Sequence, residues 1–221
     1  MSYLIRVTLP DVPGSLGQLA EAFGMIDADI RSVDIVQTSP DGVVTDDMVV
    51  ELPTGTLVDA IITAAASIDG VDVDSIRPFT GRVDRRGQIE MLARIASRTR
   101  DVGSAMEELV SVMPQAMTSS WAVVLRDTGD GLIRVAASQA APGDDGSSPV
   151  AVGVDRARIL DEEADSWVPE PWWLLGTTLA ACPLTGTDLL LVIGRIGGPD
   201  FLASEVTQIS DLGTIIGAML K

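Results

Sequence analysis

The chain has 221 residues, 32 acidic against 15 basic, for a formal net charge of −17. This balance excludes an electrostatic nucleic-acid binder, because a phosphate backbone needs a basic face; Arg82, Arg85 and Arg86 come nearest to one, and Asp84 interrupts them. There is no histidine and a single cysteine, Cys182, which removes Ser-His-Asp and Cys-His catalysis, zinc sites of the usual type and any disulfide within one chain.

The length suits one or two domains. Asp69-Gly70-Val71-Asp72-Val73-Asp74 lacks the rest of a calcium loop and reads as a turn entering a strand, so no metal is expected. The opening Met1-Ser2-Tyr3-Leu4-Ile5-Arg6 reads as neither a signal peptide nor an anchor, and no apolar run reaches membrane-spanning length. The expectation is a cytoplasmic protein with no membrane partner.

Tyr3 to Leu9 alternates in the manner of a strand, and Asp11-Val12-Pro13-Gly14-Ser15-Leu16-Gly17 then turns into a helix. Pro13 has a φ suited to a first helical turn, and Leu16, Leu19, Ala20 and Phe23 share one face. Free N–H groups and the positive end of the helix dipole at such a loop suit a carboxylate or phosphate; the plainer alternative is a sharp turn that starts the helix. Ile30 to Thr38 and Val43 to Leu52 read as a hairpin around Ser39-Pro40-Asp41-Gly42. Gly55 to Ile68 carries Leu57, Ile61, Ile62 and Ala65 at helical spacing and stops at Asp69-Gly70, and Val71 to Ile76 is a last strand. The order is the ferredoxin-like βαββαβ, with both helices on one face of an antiparallel sheet. The opposite face needs cover from a second copy or another domain, so self-association is expected.

Residues 3 to 80 resemble an ACT domain, a small-molecule-binding regulatory module of amino-acid metabolism. The resemblance rests on the 11–17 motif, on Ala28-Asp29-Ile30 opening the second strand and on Gly70-Val71 before the last. It implies an effector site, commonly between paired domains, in which backbone amides hold an amino-acid carboxylate. Pro13, Gly14, Ser15, Leu16, Asp29 and Ile30 would be its contacts, with Asp11 shaping the loop or meeting an amine. Many amino-acid-binding members have Asn where this chain has Asp29; an ionised Asp cannot donate to a carboxylate, which moves its role to the ligand ammonium.

Thr80 to Gly87 is polar and bounded by glycines, giving domains at 1–80 and 89–221 with a linker at 81–88. Ile89, Leu92, Ala96 and Thr99, then Val102, Met106, Leu109 and Met113, predict one long helix limited by Gly103 and Pro114; its stripe packs on the following sheet or forms a dimer seam. Trp121–Arg126 and Leu132–Ala137 are paired strands around Thr128-Gly129-Asp130-Gly131. Ser138 to Pro149 reads as a loop, Val154 to Asp165 as a helix, Thr177–Leu184 and Asp188–Arg195 as strands, and Ser204–Leu220 as a closing helix.

Residues 88 to 221 resemble a GAF domain, an α/β small-molecule sensor with an antiparallel sheet sandwiched by helices. The resembling residues are Ala181-Cys182-Pro183-Leu184, Leu190 to Gly194, and Phe201 with Glu205 ahead of the last helix. Pro183 follows Cys182 where tetrapyrrole-attaching members have His, so no tetrapyrrole, haem or other cofactor is expected. Trp167, Trp172 and Trp173 either roof a pocket or plug a thin core, and Cys182 reads as a small buried hydrophobe. The fold class is therefore α+β, a ferredoxin-like N-terminal domain plus a GAF-like antiparallel sheet with flanking helices.

The functional expectation is a non-catalytic regulatory protein sensing a small molecule, an amino acid, as a homodimer through its ACT domain. The alternative is a ligand-independent dimeric scaffold for a metabolic enzyme. Asp46-Asp47 and Glu107-Glu108 are adjacent acid pairs, but sequence neighbours point apart on strands and helices, so no catalytic dyad is expected.

Overall fold

A computed structural model of the chain describes residues 1–79, 85–146, 149–150 and 153–221. Two compact units, Met1–Val83 and Asp84–Lys221, meet inside the expected linker, of which residues 81–84 lie outside the described ones.

The first unit runs β1 (Ser2–Pro10), α1 (Ser15–Gly24), β2 (Asp29–Ser39), β3 (Val43–Glu51), α2 (Asp59–Ala66) and β4 (Asp72–Pro78). Its antiparallel sheet has the order β2-β3-β1-β4, the ferredoxin-like pattern expected. Alternation sends Ile5, Val7 and Leu9 of β1 and Val44, Met48 and Val50 of β3 to one face, where they meet Leu19, Phe23, Ile61 and Ala65 of the helices. On the other face the Arg6 guanidinium grips Asp47 through two bonds of 2.7 and 2.9 Å.

Two helical readings need correction. The buried stripe of α1 is Ser15, Leu19 and Phe23, so Leu16 and Ala20 face solvent; the helix is rotated by about one residue from the predicted face. Helix α2 starts at Asp59, not Gly55, because Thr56 N–H closes a turn on Pro53 O and Gly55 takes φ +94°. Leu57 and Ile62 accordingly stay exposed, and Ile61 and Ala65 alone of the four apolar positions are buried.

The second unit begins with α3 (Arg85–Ser97) and α4 (Val102–Ala116), where one long helix was expected. The break falls before Gly103: the Asp101 carboxylate accepts the Ser104 N–H at 3.2 Å and starts a new helix. The two helices fold back on each other, with Gln88 donating to Ala116 O and both Arg94 and Arg98 meeting Glu108. Met91 and Ile95 are the buried residues of α3, and Ile89 is exposed. Pro114 lies within α4 and does not end it.

Strands β5 (Trp121–Asp127), β6 (Leu132–Ala137), β7 (Arg158–Ile159), β8 (Thr178–Pro183) and β9 (Leu189–Arg195) form an antiparallel sheet of order β6-β5-β9-β8-β7. Ala122, Val124, Ala180, Cys182, Leu191 and Ile193 face α3, α4 and the closing helix α5 (Ala203–Met219). The intervening residues, Trp121, Val123, Leu179, Ala181, Leu190 and Val192, face Val154, Leu160, Val168 and Trp172. Val154 to Asp165 is not the expected helix. Asp161 accepts the N–H groups of Glu163 and Ala164 with its side chain, and such local bonds compete with helical ones. Among the described residues this second layer is therefore irregular apart from a 3-10 turn at Glu170–Trp172.

Two contacts lock α5 to the sheet. Arg195 is fully buried; it donates to Glu205 and to the carbonyls of Met117 and Thr118, and lies 4.1 Å from the Phe201 ring centroid. Glu205 in turn accepts the Leu202 N–H at 2.9 Å. Further along, Gly213 and Gly217 let α5 approach the β8–β9 turn: a Cβ would lie 2.4 Å from Cys182 Sγ at the first and 2.3 Å from Thr185 O at the second. Because overpacking against backbone costs roughly 1–3 kcal/mol, Gly217→Ala should lower stability by at least that much in urea denaturation. Gly103→Ala, on the exposed side of α4, should change it by less than about 1 kcal/mol.

Candidate functional site

The predicted loop is built as a turn stacked on a helix. Ser15 N–H bonds Val12 O at 3.2 Å, and Gly14 has φ +101° and ψ −16°, the geometry of a type II turn with Pro and Gly at its centre. Pro13 therefore serves the turn and not, as expected, the first turn of the helix. Asp11 N–H donates to Gly42 O at 2.8 Å, tying the loop to the β2–β3 hairpin, and Gln18 N–H to Gly14 O opens the helical ladder. Helix geometry leaves the N–H groups of Leu16 and Gly17 without intrahelical acceptors. No side chain caps this end and its first turn holds no acid, so its partial positive charge is uncompensated from within the helix. Asp11, Pro13, Gly14 and Leu16 are exposed and Ser15 is buried.

Asp29 and Ile30 lie elsewhere. Asp29 pairs in register with Glu51, which pairs with Ser2, while Pro10 pairs with Val43, which pairs with Ser39. The start of β2 is thus at the opposite end of the sheet from the loop. The nine residues of β1 lie between, roughly 25–30 Å at about 3.3 Å per residue. Within one copy the seven predicted residues do not converge. Asp29 is exposed and 3.3 Å from Arg31, which also holds Glu51.

Sequence reasoning passed over Asp46 as half of a divergent acid pair. The divergence is real: Asp47 turns to Arg6, and Asp46 shares the inward phase of Val44 and Met48. Asp46 is 2% exposed, and its Oδ1 has no hydrogen-bond partner among the described residues. Burial, with Asp47 and Asp11 adding negative potential, raises its pKa above the ordinary carboxylate value. An acid in phase with the apolar residues of a strand was the signal available. Glu107 and Glu108 do not converge either, Glu107 being exposed and Glu108 bound to Arg94 and Arg98.

In the second unit Trp172 fills space, whereas Trp167 and Trp173 are only half-buried. Trp172 is buried edge-to-face on Trp121, with ring centroids 5.4 Å apart, and the Arg134 guanidinium lies 5.8 Å from its centroid. The cavity beside them, lined by Leu125, Leu132, Arg134 and Trp172, measures about 20 Å³, room for about one water. A wider cleft of about 560 Å³ opens at Arg158, Asp165, Ser166 and Trp167. Its charges are already matched: Asp165 accepts from Arg158, from Trp167 Nε1 at 3.0 Å and from the Asp161 N–H. Arg158 above all holds the Asp165 carboxyl down to about 2. Cys182 is buried, its thiol pushed up to about 11 by burial, which makes it unreactive. Among the described residues no group of three or more His, Cys, Asp or Glu could hold a metal ion, and no helix is long and apolar enough to cross a membrane.

No family model matches the chain, and no curated protein does. Solved structures similar to it include the GAF domain of a phosphoenolpyruvate-protein phosphotransferase from Coxiella burnetii, at 13% identity over 61% of this chain and 93% of that one, with a TM-score of 0.46. Another is the GAF domain of a putative sensor histidine kinase from Pseudomonas syringae pv. tomato, at 14% identity over 62% and 88%, with a TM-score of 0.41. A third is free methionine-R-sulfoxide reductase from Neisseria meningitidis in complex with its substrate, at 15% over 62% and 91%, with a TM-score of 0.43.

The positive φ of Gly14 costs an L-residue roughly 1–2 kcal/mol, so Gly14→Ala should lower stability by about that amount in thermal denaturation although its Cβ meets no neighbour. Asp165→Asn should cost about 1–2 kcal/mol at neutral pH. The parent keeps this contribution in full above the unfolded Asp value of ~3.9 and loses it as the pH falls towards 2, whereas the Asn variant lacks this dependence.

Proposed function

We propose that this chain is a non-catalytic regulatory protein whose N-terminal unit binds an α-amino acid at the Pro13–Gly14 loop. The observation that carries this reading is the uncapped N-terminus of α1, set on a rigid Pro-Gly turn and free of nearby helical acid, which supplies backbone donors to a carboxylate. The resemblance of residues 3 to 80 to an ACT domain supports a site shared by two copies, and the geometry supplies the reason. Strand β2 is an edge strand. If it pairs antiparallel with β2 of a second copy, the start of that second strand arrives at the end of the sheet where β1 finishes. Asp29 and Ile30 of the second copy then approach the loop that they cannot reach in their own copy, with Asp29 suited to a ligand ammonium.

A second reading has its own support. Val33 and Ile35 of β2 are exposed, and an edge strand with apolar side chains favours pairing with no ligand at all, which makes the protein a dimeric scaffold. Thermal-shift and calorimetric titration with the twenty amino acids, alongside light scattering, separates the two. The sensor reading expects a dimer whose melting temperature rises with one class of amino acid, by the equivalent of about 2.7 kcal/mol at a hundred times Kd. Gly14→Ala should weaken that response through backbone strain alone, and Gly14→Asp should abolish it by repelling the carboxylate. A dimer unmoved by millimolar amino acids selects the scaffold, and an unresponsive monomer overturns both.

A further inference from the structure

Asp46 stands out from the other charges of the first unit. It lies on the helix-facing side of the sheet, 2% exposed, with Oδ1 unpartnered among the described residues. Beside it are Val7 on β1 and Ile35 on β2; the buried residues of α1 are Ser15, Leu19 and Phe23, and those of α2 are Ile61 and Ala65. None of these carries a charge. The ionisable groups acting on Asp46 are Asp47 and Asp11, both acidic. The Arg6 cation is spent on Asp47 across the opposite face, and Asp34, in register with Asp47, belongs to that face too.

A buried carboxylate with one oxygen lacking a donor is disfavoured, and it meets that cost by keeping its proton or by drawing water in. Asp11, at the head of the Val12–Ser15 turn that leads into α1, is near enough to add its negative potential at Asp46, so the entry to α1 lies beside this carboxyl. We infer that α1 closes on the sheet over a neutral Asp46, so that the first unit takes up a proton as its Pro13–Gly14 loop orders and loosens when Asp46 ionises. Closure then tightens in acid, and the device holds whatever the loop binds.

The sign follows from linkage. The open state ionises near ~3.9 and the closed state at higher pH, so the opening constant rises up to tenfold per pH unit between the two values and then levels off. Amide hydrogen exchange of the intact chain, corrected for intrinsic rates, reads this directly between pH 4 and 8. Protection of Gln18 to Phe23 and Asp46 to Val50 should fall as the pH rises, while β9 and α5 keep theirs. Asp46→Asn should flatten the profile and hold the protection of the acid form. A carbon-13 titration of the Asp46 carboxyl in the parent chain needs no variant, and should place it above the ordinary aspartate value. An Asp46 that titrates at or below that value overturns the inference, as does an Asn variant that keeps the parent's pH profile.

Discussion

A charge taken out of water must find partners, and this constraint organises both units. In the second, Arg195 is wholly enclosed, yet Glu205, the carbonyls of Met117 and Thr118 and the Phe201 face surround its guanidinium. The same Glu205 carboxylate satisfies the N–H of Leu202 at the start of α5. One ion pair thus joins the end of β9, the exit of α4 and the entry of α5. Removing either partner of such a pair strands the other, typically at about 3–5 kcal/mol. In the first unit Arg6 and Asp47 obey the rule, and Asp46, one residue away, does not.

The two units differ in what they leave open. The second closes the sheet face opposite its helices with Trp172, Val154, Leu160 and Val168, and its Arg158–Asp165 pair consumes the charge at the cleft beside Trp167. The first leaves an uncapped helix end at one end of its sheet and has β2 as an edge strand along its side. A ligand that needs both a carboxylate receptor and an ammonium receptor finds them at opposite ends of one copy. In the proposed arrangement that separation assigns the site to a pair, and a ligand bound there would favour the paired state.

Much of the fold was legible because strands advertise themselves by alternation. Ile5, Val7 and Leu9 against Leu4, Arg6 and Thr8 identified β1, whereas β5, β8 and β9, buried on both faces, showed as short continuous apolar runs. The misread places share a cause: a polar side chain or a glycine overrode apolar spacing. Asp101 split α3 from α4, Asp161 diverted residues 154–165 from a helix, and Gly55 delayed α2. At the candidate site, the Pro-Gly turn and helix start could be read from sequence. The distance of Asp29 from them could not, because it depends on strand register. Asp46 was readable in principle, as an acid standing where the alternation calls for an apolar residue.

The proposed sensor depends on the backbone at the start of α1 receiving a carboxylate. The most direct measurement is the proton–nitrogen correlation spectrum of the intact chain during titration with the amino acid that stabilises it. The amides of Leu16 and Gly17 should shift most, in the direction of stronger hydrogen bonding, with Asp29 and Ile30 moving in step through the second copy. Shifts confined to the second unit, or a titration that leaves residues 12 to 17 unmoved, would contradict it.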